Sequence, residues 1–164
     1  MVRTPKLYNV PALLGAADLA LEKDPARLPE LKKMLNHPVG GMRYWATVGC
    51  FLLGQQAVSV KPLIYKKLTD ESHEVRNMAA WTIINFGDKK TGLKTIESLL
   101  KQKSYALLTT LNLIDWLGDD AKSLIPTVQG LKVTGYEKRM QDQLLLKYGL
   151  IKEIPKKQKK KKRV

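Results

Sequence analysis

Cysteine, histidine and phenylalanine are scarce in this sequence of 164 residues, which contains one Cys, two His and two Phe. The single cysteine, Cys50, excludes an internal disulfide and a zinc site built from several thiolates. The sequence has no uninterrupted run of about 18 apolar residues, the length that predicts a membrane-spanning helix. The first apolar run is broken by Asn9 and Pro11 and soon acquires Asp18, so it does not fit the pattern of a signal peptide.

Acidic residues are also scarce, with 15 Asp and Glu against 29 Lys and Arg, and the formal net charge is +14. The end of the chain, KKQKKKKRV, is strongly basic and contains no acidic residue. We therefore divide the sequence into a folded domain, residues 1–154, and a disordered Lys-rich tail, residues 155–164. The tail is either a solvated terminus or a binding segment for a polyanion such as nucleic acid, anionic lipid or sulfated polysaccharide. Its candidate contact residues are Lys156, Lys157, Lys159, Lys160, Lys161, Lys162 and Arg163.

The sequence repeats a pattern that ends at Gly54, Gly87 and Gly118. Apolar or small residues stand one, four, eight and twelve positions before each glycine, which places them on one stripe of a helix. The glycines predict left-handed C-caps, in which φ is positive. The stripes consist of Met42, Ala46, Cys50 and Leu53, then Val75, Ala79, Ile83 and Phe86, then Ala106, Thr110, Ile114 and Leu117.

A shorter apolar helix is predicted before each stripe, over residues 27–36, 60–70 and 92–102. A fourth pair is predicted from DAKSLIPTVQGLK and YEKRMQDQLLLKYG, and the upstream segment VPALLGAADLALEK predicts a helix without a partner. Repeated helix pairs of this length are typical of solenoids, since one pair cannot bury its apolar stripe alone. The predicted fold is all-α, an α-solenoid of about four antiparallel helix pairs. The predicted N-caps are Asp24, Ser59 and Thr91, and the prolines in first turns are Pro25, Pro29 and Pro62.

The clearest unit is KPLIYKKLTDESHEVRNMAAWTIINFG, residues 61–87. It has an apolar helix, an Asp near the turn, Val-Arg at the opening of the next helix, an Ala pair and a final Phe-Gly. This pattern resembles the HEAT repeat family. The resemblance implies that the turn Asp and the Arg six residues later form a ladder of ion pairs and carbonyl contacts, and Asp70 and Arg76 have that spacing.

The neighbouring units keep this ladder only in part. The preceding unit has Arg43, but His37 stands where its acid is expected. The following unit has Lys101 in place of the acid and Leu107 in place of the arginine. We therefore expect an interrupted ladder, in which the loss of Arg76 destabilises the fold more than the loss of Arg43.

Two elements within residues 9–130 carry a narrower resemblance, DP-x-x-LPEL-x-x-ML and RYWA-x-x-G-C-x-x-LG. They are similar to the HEAT-like segment that follows the catalytic domain in many bacterial sulfatases, notably the N-sulphoglucosamine or heparan type. The resemblance implies an accessory domain that packs against a sulfatase catalytic domain or another protein. Membership of a secreted sulfatase would place it in the periplasm or outside the cell, and any other role would place it in the cytoplasm.

The residues that such an enzyme needs are missing. The formylglycine of these sulfatases is made from Cys or Ser in a C/S-x-P-x-R context, and neither Cys50 nor any serine has that context. The chain is therefore not expected to be an enzyme by itself, and no catalytic, metal-binding or cofactor-binding residue is assigned. Two other interpretations stay open, a free-standing HEAT adaptor for a protein partner and a polyanion-binding protein that uses the tail. A bilin lyase is a weaker enzymatic alternative, because those enzymes also carry HEAT-like repeats.

The remaining polar and aromatic residues favour structural roles. His37 and His73 are expected to be solvated turn histidines, since neither has a second ligand four residues away. Trp45, Trp81 and Trp116 stand at different distances from their glycines, so they are expected on different helix faces as core and groove fillers. Asp115 interrupts an apolar stretch and is expected to face a groove or to mark the edge of the stripe.

Overall fold

The computed structural model describes residues 9–102 and 104–154. Within these ranges the chain is helical and has no β-strand, which confirms the all-α class. No helix in these ranges is long and apolar enough to cross a membrane. The α-helices are α1 (Val10–Leu21), α2 (Leu28–Met34), α3 (Gly40–Leu53), α4 (Lys61–Lys67), α5 (His73–Asn85), α6 (Lys89–Leu100), α7 (Leu107–Leu117), α8 (Ile125–Gln129) and α9 (Gly135–Lys147). Short 3₁₀ segments cover Pro25–Arg27, Gly54–Val60 and Gly118–Leu124.

The odd-numbered helices pack against one another in chain order, α1 on α3, α3 on α5, α5 on α7 and α7 on α9. Each even-numbered helix packs on the odd-numbered helix that follows it, α2 on α3, α4 on α5, α6 on α7 and α8 on α9, and α6 packs more extensively still on α5, which precedes it. Helix α1 has no even-numbered helix before it among the described residues, although it packs on α3 as α3 packs on α5.

The core is built from the three helical stripes that are predicted by counting back from Gly54, Gly87 and Gly118. Apart from Met42 and Leu117, which are half-buried, every residue of these stripes is buried. The buried apolar residues form two clusters, one around α3 and α5 and one around α6, α7 and α9, and Leu68 packs against both. Burial of apolar surface at about 25 cal/mol per Å² is the main stabilising term for such a core.

The starts of the helices follow local sequence signals, with two corrections. Asp24 accepts a hydrogen bond from the N–H of Ala26 and is the N-cap that the sequence predicts. The predictions for Ser59 and Thr91 are wrong, because Ser59 lies inside a 3₁₀ segment and Asp88 caps α6 instead. Asp88 begins the helix three residues earlier than predicted, since its carboxylate accepts from the N–H of Thr91 at 3.0 Å. Pro25, Pro29 and Pro62 all lie in first turns, where a missing N–H costs little.

The glycine stops, Gly54, Gly87 and Gly118, have positive φ angles, but the predicted left-handed cap is wrong for Gly54 and Gly118. Gly54 and Gly118 have nearly the same conformation, with φ 55° and ψ −129° in one and φ 57° and ψ −131° in the other. This region differs from the ordinary left-handed helical region and is accessible almost only to glycine. The repeated conformation explains why both helices turn into a 3₁₀ segment at the same point.

Candidate functional site

A buried ion pair joins the first turn of α3 to the chain just before α5. The guanidinium of Arg43 binds the Asp70 carboxylate with two bonds, Nε to Oδ2 at 2.8 Å and Nη2 to Oδ1 at 2.7 Å. The same guanidinium donates to the carbonyls of His37 and Pro38, each at 2.9 Å, and to Glu71 at 2.8 Å. Arg43 is 5% exposed and Asp70 is 9% exposed. A two-bond pair at this depth fixes the position of one helix pair on the next.

The HEAT resemblance implies an ion pair between Asp70 and Arg76. This prediction is wrong, because the Asp70 carboxylate binds a different arginine. Arg76 binds the backbone carbonyl of Asp70 at 2.6 Å, and the carboxylate belongs to Arg43, which lies 27 residues earlier. The other end of the Arg76 guanidinium donates to Gln102 Oε1 at 3.1 Å. The expectation that Arg43 lacks an acid is therefore also wrong, because its acid comes from the following unit.

The two arginines occupy equivalent positions and reach forward in the same way. Arg43 reaches Glu71 ahead of α5, and Arg76 reaches Gln102 ahead of α7. Glu71 and Gln102 each lie 16 residues before the glycine that ends their unit, so they are equivalent in sequence. The first contact is therefore between charged groups, while the second has a neutral amide as acceptor.

The geometry around Asp70 keeps its carboxylate ionised. Burial by itself would raise the pKa of Asp70, but hydrogen bonds from Arg43 and from the N–H of Ser72 hold the pKa below its ordinary value. The positive charges of Arg43 and of Lys67, whose Nζ lies 3.8 Å from Oδ2, act in the same direction. The pair is thus a stable structural contact and not a group poised to exchange protons near neutral pH.

His73 is buried, which corrects the expectation of a solvated turn histidine. It is 4% exposed, and its Nε2 lies 3.1 Å from the Thr110 hydroxyl on α7. Asn77 also binds this hydroxyl, at 3.0 Å, so three polar side chains join α5 to α7. On the other side of the ring, Nδ1 lies 3.4 Å from Nη2 of Arg76. Because a guanidinium can only donate, Nδ1 accepts and the proton of the neutral ring lies on Nε2. Burial and the Arg76 charge lower the pKa of His73.

A groove of about 720 Å³ opens beside these contacts, at the N-terminal ends of α3 and α5. Glu74 lies in it with Tyr44 and Tyr105, and its carboxylate accepts from the Ser72 hydroxyl at 3.0 Å and from the Tyr105 hydroxyl at 3.4 Å. Burial and the Glu74 charge raise the pKa of Tyr44. Other residues that line the groove are Pro38, Val39, Gly40, Gly41 and Thr109.

A row of aromatic rings crosses α3, α5 and α7 toward their other ends. The ring of Phe51 lies 4.5 Å from that of Trp81, and the rings of Trp81 and Trp116 are stacked at 5.6 Å with 23° between their planes. Trp45 is outside the row and contacts Tyr44 edge to face. The prediction of separate groove fillers therefore missed that two of the three tryptophans meet.

Two ion pairs border this row. Lys89 binds Asp120 and Lys147 binds Asp115, each with an N–O distance of 2.7 Å. Asp115 thus lies at the edge of the apolar stripe, as one of the two expectations for it states, and its partner comes from α9. The aromatic row, Asp120 and Asn85 line a hollow of about 320 Å³.

Helix α1 presents an apolar face to solvent. Val10, Leu14 and Leu21 are each more than half exposed, although they belong to an otherwise regular helix that packs on α3. Isolated apolar residues on a surface are common, whereas large contiguous apolar patches mark interaction surfaces. The opposite face of α1 contributes Ala16 and Ala20 to the interior.

Few residues in the described part of the chain suggest reactive chemistry. Cys50 is fully buried, and burial raises the pKa of its thiol to about 12, so it is not a nucleophile in the folded protein. Residues 9–102 and 104–154 contain no group of three or more His, Cys, Asp or Glu side chains that could hold a metal ion. The candidate polyanion contacts from Lys156 to Arg163 lie outside the described residues.

Comparisons of the chain with protein-family models, with curated proteins and with solved structures gave no significant match.

Proposed function

We propose that the chain is a non-catalytic HEAT-like module, an α-solenoid of about four helix pairs, and that it serves as the accessory domain of a sulfatase. The regular order of helix contacts supports the solenoid, and so does the forward reach of Arg43 and Arg76 from one unit to the next. The two sequence elements that resemble sulfatase C-terminal segments support the choice of partner.

The observation that carries the proposal is the exposed face of α1. This helix packs as the second helix of a pair does, yet no first helix covers Val10, Leu14 and Leu21 in the described residues. A repeat array normally ends in a helix with a polar outer face, since the last stripe would otherwise face water. An apolar end favours burial against another folded body, and stable interfaces of this kind are enriched in apolar contacts.

The test is a binding experiment with the catalytic domain of a sulfatase encoded next to or upstream of this chain in the same genome. We expect one complex in size-exclusion chromatography and calorimetry. Leu14→Glu should abolish it, because a carboxylate would be buried at the centre of the interface without a partner. Leu14 is 61% exposed in the chain, so the substitution should leave the fold intact, which circular dichroism can verify. Tyr105→Ala, at another exposed ring, is the matched control and should bind normally.

Two results would contradict the accessory role. One is a catalytic domain that binds the Leu14→Glu variant as well as the original chain. The other is an absence of binding together with self-association that Leu14→Glu removes, which would assign the α1 face to a second copy of the chain.

A further inference from the structure

The aromatic row ends in an exposed indole. Trp116 is 62% exposed, although its ring is stacked on Trp81, which in turn contacts Phe51. Helix α9 packs on α7 and contributes Lys147, whose ammonium binds Asp115, the residue before Trp116 in the chain. The contact with Trp81 thus holds the indole in place and leaves a large part of it open to a ligand.

The groups around the indole alternate between donors and acceptors of hydrogen bonds. Asp120 and Asn85 line the same hollow as Trp116, and Lys89 is bound to Asp120. The side chains of Lys89 and Lys147 are about half exposed, at 51% and 47%, so their ammonium groups have further N–H donors directed to solvent. The carboxylates retain lone pairs that can accept. A flat apolar surface with such a polar border is typical of small-molecule sites.

The charges decide between classes of ligand. A cationic side chain would have to displace Lys89 from Asp120 or Lys147 from Asp115, because both carboxylates already have a positive partner. A phosphate-rich strand would meet the negative charges of Asp115, Asp119 and Asp120 in one short segment. An uncharged ligand rich in hydroxyl groups can bind both members of each ion pair without displacing either.

The geometry points to a binding site for a pyranose sugar on Trp116. In a gluco-configured ring the hydroxyl groups are equatorial, so each face of the ring carries only axial C–H groups. These positively polarised C–H groups pack on the negative face of an indole. The equatorial hydroxyls then point outward, toward Asp120, Lys89 and Asn85. This inference rests on the aromatic row and its ion pairs, and it holds whether or not the chain is part of a sulfatase.

The experiment uses the full chain and two neutral probes, cellotetraose and chitotetraose, which have gluco-configured rings and no charge for the Lys-rich tail to attract. The readout is the indole N–H signal of Trp116 in a ¹H–¹⁵N spectrum, assigned from a Trp116→Phe variant. We expect at least one tetrasaccharide to shift this signal in a saturable way. Trp116→Ala should weaken binding about tenfold or more, because a stacking contact of about 1.4 kcal/mol corresponds to a factor of ten.

The matched control is Tyr105→Ala, which removes an exposed ring that lies before the start of α7 and lines the other groove, and this change should leave the affinity unchanged. An equal loss in both variants would overturn the inference, as would an unchanged Trp116 signal with both tetrasaccharides. A Lys-rich peptide or a single-stranded oligonucleotide that shifts the signal when the sugars do not would assign the site to that other class of ligand.

Discussion

Replacing Arg43 by Met should destabilise the fold more than replacing Arg76 by Met, the opposite of the order that the HEAT resemblance implies. Arg43→Met leaves Asp70 buried and without its two guanidinium bonds. Breaking a buried pair in this way costs about 3 to 5 kcal/mol. We expect about 3 kcal/mol, the lower end of that range, because the carboxylate keeps the Ser72 N–H and the nearby Lys67 ammonium.

Arg76→Met should cost about 1 kcal/mol, since Arg76 gives up bonds to neutral acceptors and remains partly open to solvent. Urea unfolding followed by circular dichroism measures the loss of unfolding free energy in each variant. The two losses can be compared if the slope of the unfolding free energy against urea concentration is the same in both variants. Equal losses, or a larger loss for Arg76→Met, would refute the assignment of the buried pair.

A double-mutant cycle separates the pair from its surroundings. Arg43→Met combined with Asp70→Asn should give a coupling energy of about 2 kcal/mol, while Arg76→Met combined with Asp70→Asn should give a value near zero.

The ion pair between Arg43 and Asp70 also makes the stability depend on pH. Because folding lowers the pKa of Asp70, its contribution is complete above the ordinary value of 3.8 and is lost as the pH falls below it. The stability difference between the original chain and Arg43→Met should therefore shrink in acid.

Two further predictions concern His73 and the glycine stops. Folding lowers the pKa of His73, so the unfolded chain takes up the proton first, and stability should fall as the pH drops below the ordinary value of 6.5. His73→Gln should weaken this fall, and equal shifts of the urea midpoint in both proteins between about pH 7.5 and pH 5.5 would contradict the argument. Gly118→Ala should cost about 2 kcal/mol, because the backbone conformation at this position is strained for any residue other than glycine. A steric clash does not contribute, since the added Cβ meets open space. Gly15→Ala, inside α1 and also in open space, should stabilise by about 0.5 to 1 kcal/mol, and thermal unfolding that gives both changes the same sign would contradict this.

The parts of the fold that the sequence predicts are those that depend on local physics. Helical periodicity identifies the stripes that become the core, and prolines and glycines mark where helices begin and end. The positive φ angles of Gly54 and Gly118 follow from the same logic, although their ψ angles differ from those of the predicted left-handed cap. The N-caps are less predictable, because Asp88 and Thr91 lie within one turn and both residue types cap helices.

The contacts between units could not be read from spacing along the chain. Asp70 has Arg76 six residues away and Arg43 27 residues away, and the choice between them depends on how α3 packs on α5. The burial of His73 depends on Thr110, which belongs to another helix. A helix-turn position next to charged residues therefore looked solvent-exposed in sequence although the fold covers it.

The aromatic row shows the same limit at the candidate ligand site. The distance to the glycine that ends the helix differs among the three rings: it is three residues for Phe51, six for Trp81 and two for Trp116. Because these positions are not equivalent, the repeat pattern does not predict that the rings meet. They meet because the packing of α3, α5 and α7, and not spacing along the chain, decides which side chains lie next to each other. The signal in the sequence was weak but present, since aromatic residues recur near the end of three successive stripes.

The two proposed surfaces lie at different places along the order of helices. The apolar face belongs to α1, the first helix, while Trp116 belongs to α7, and α3 and α5 are packed between them. A partner on α1 therefore leaves the indole accessible, and a sugar on Trp116 leaves Leu14 accessible. Because sites that share no contacts affect free energy additively, Leu14→Glu should alter only protein binding and Trp116→Ala only sugar binding.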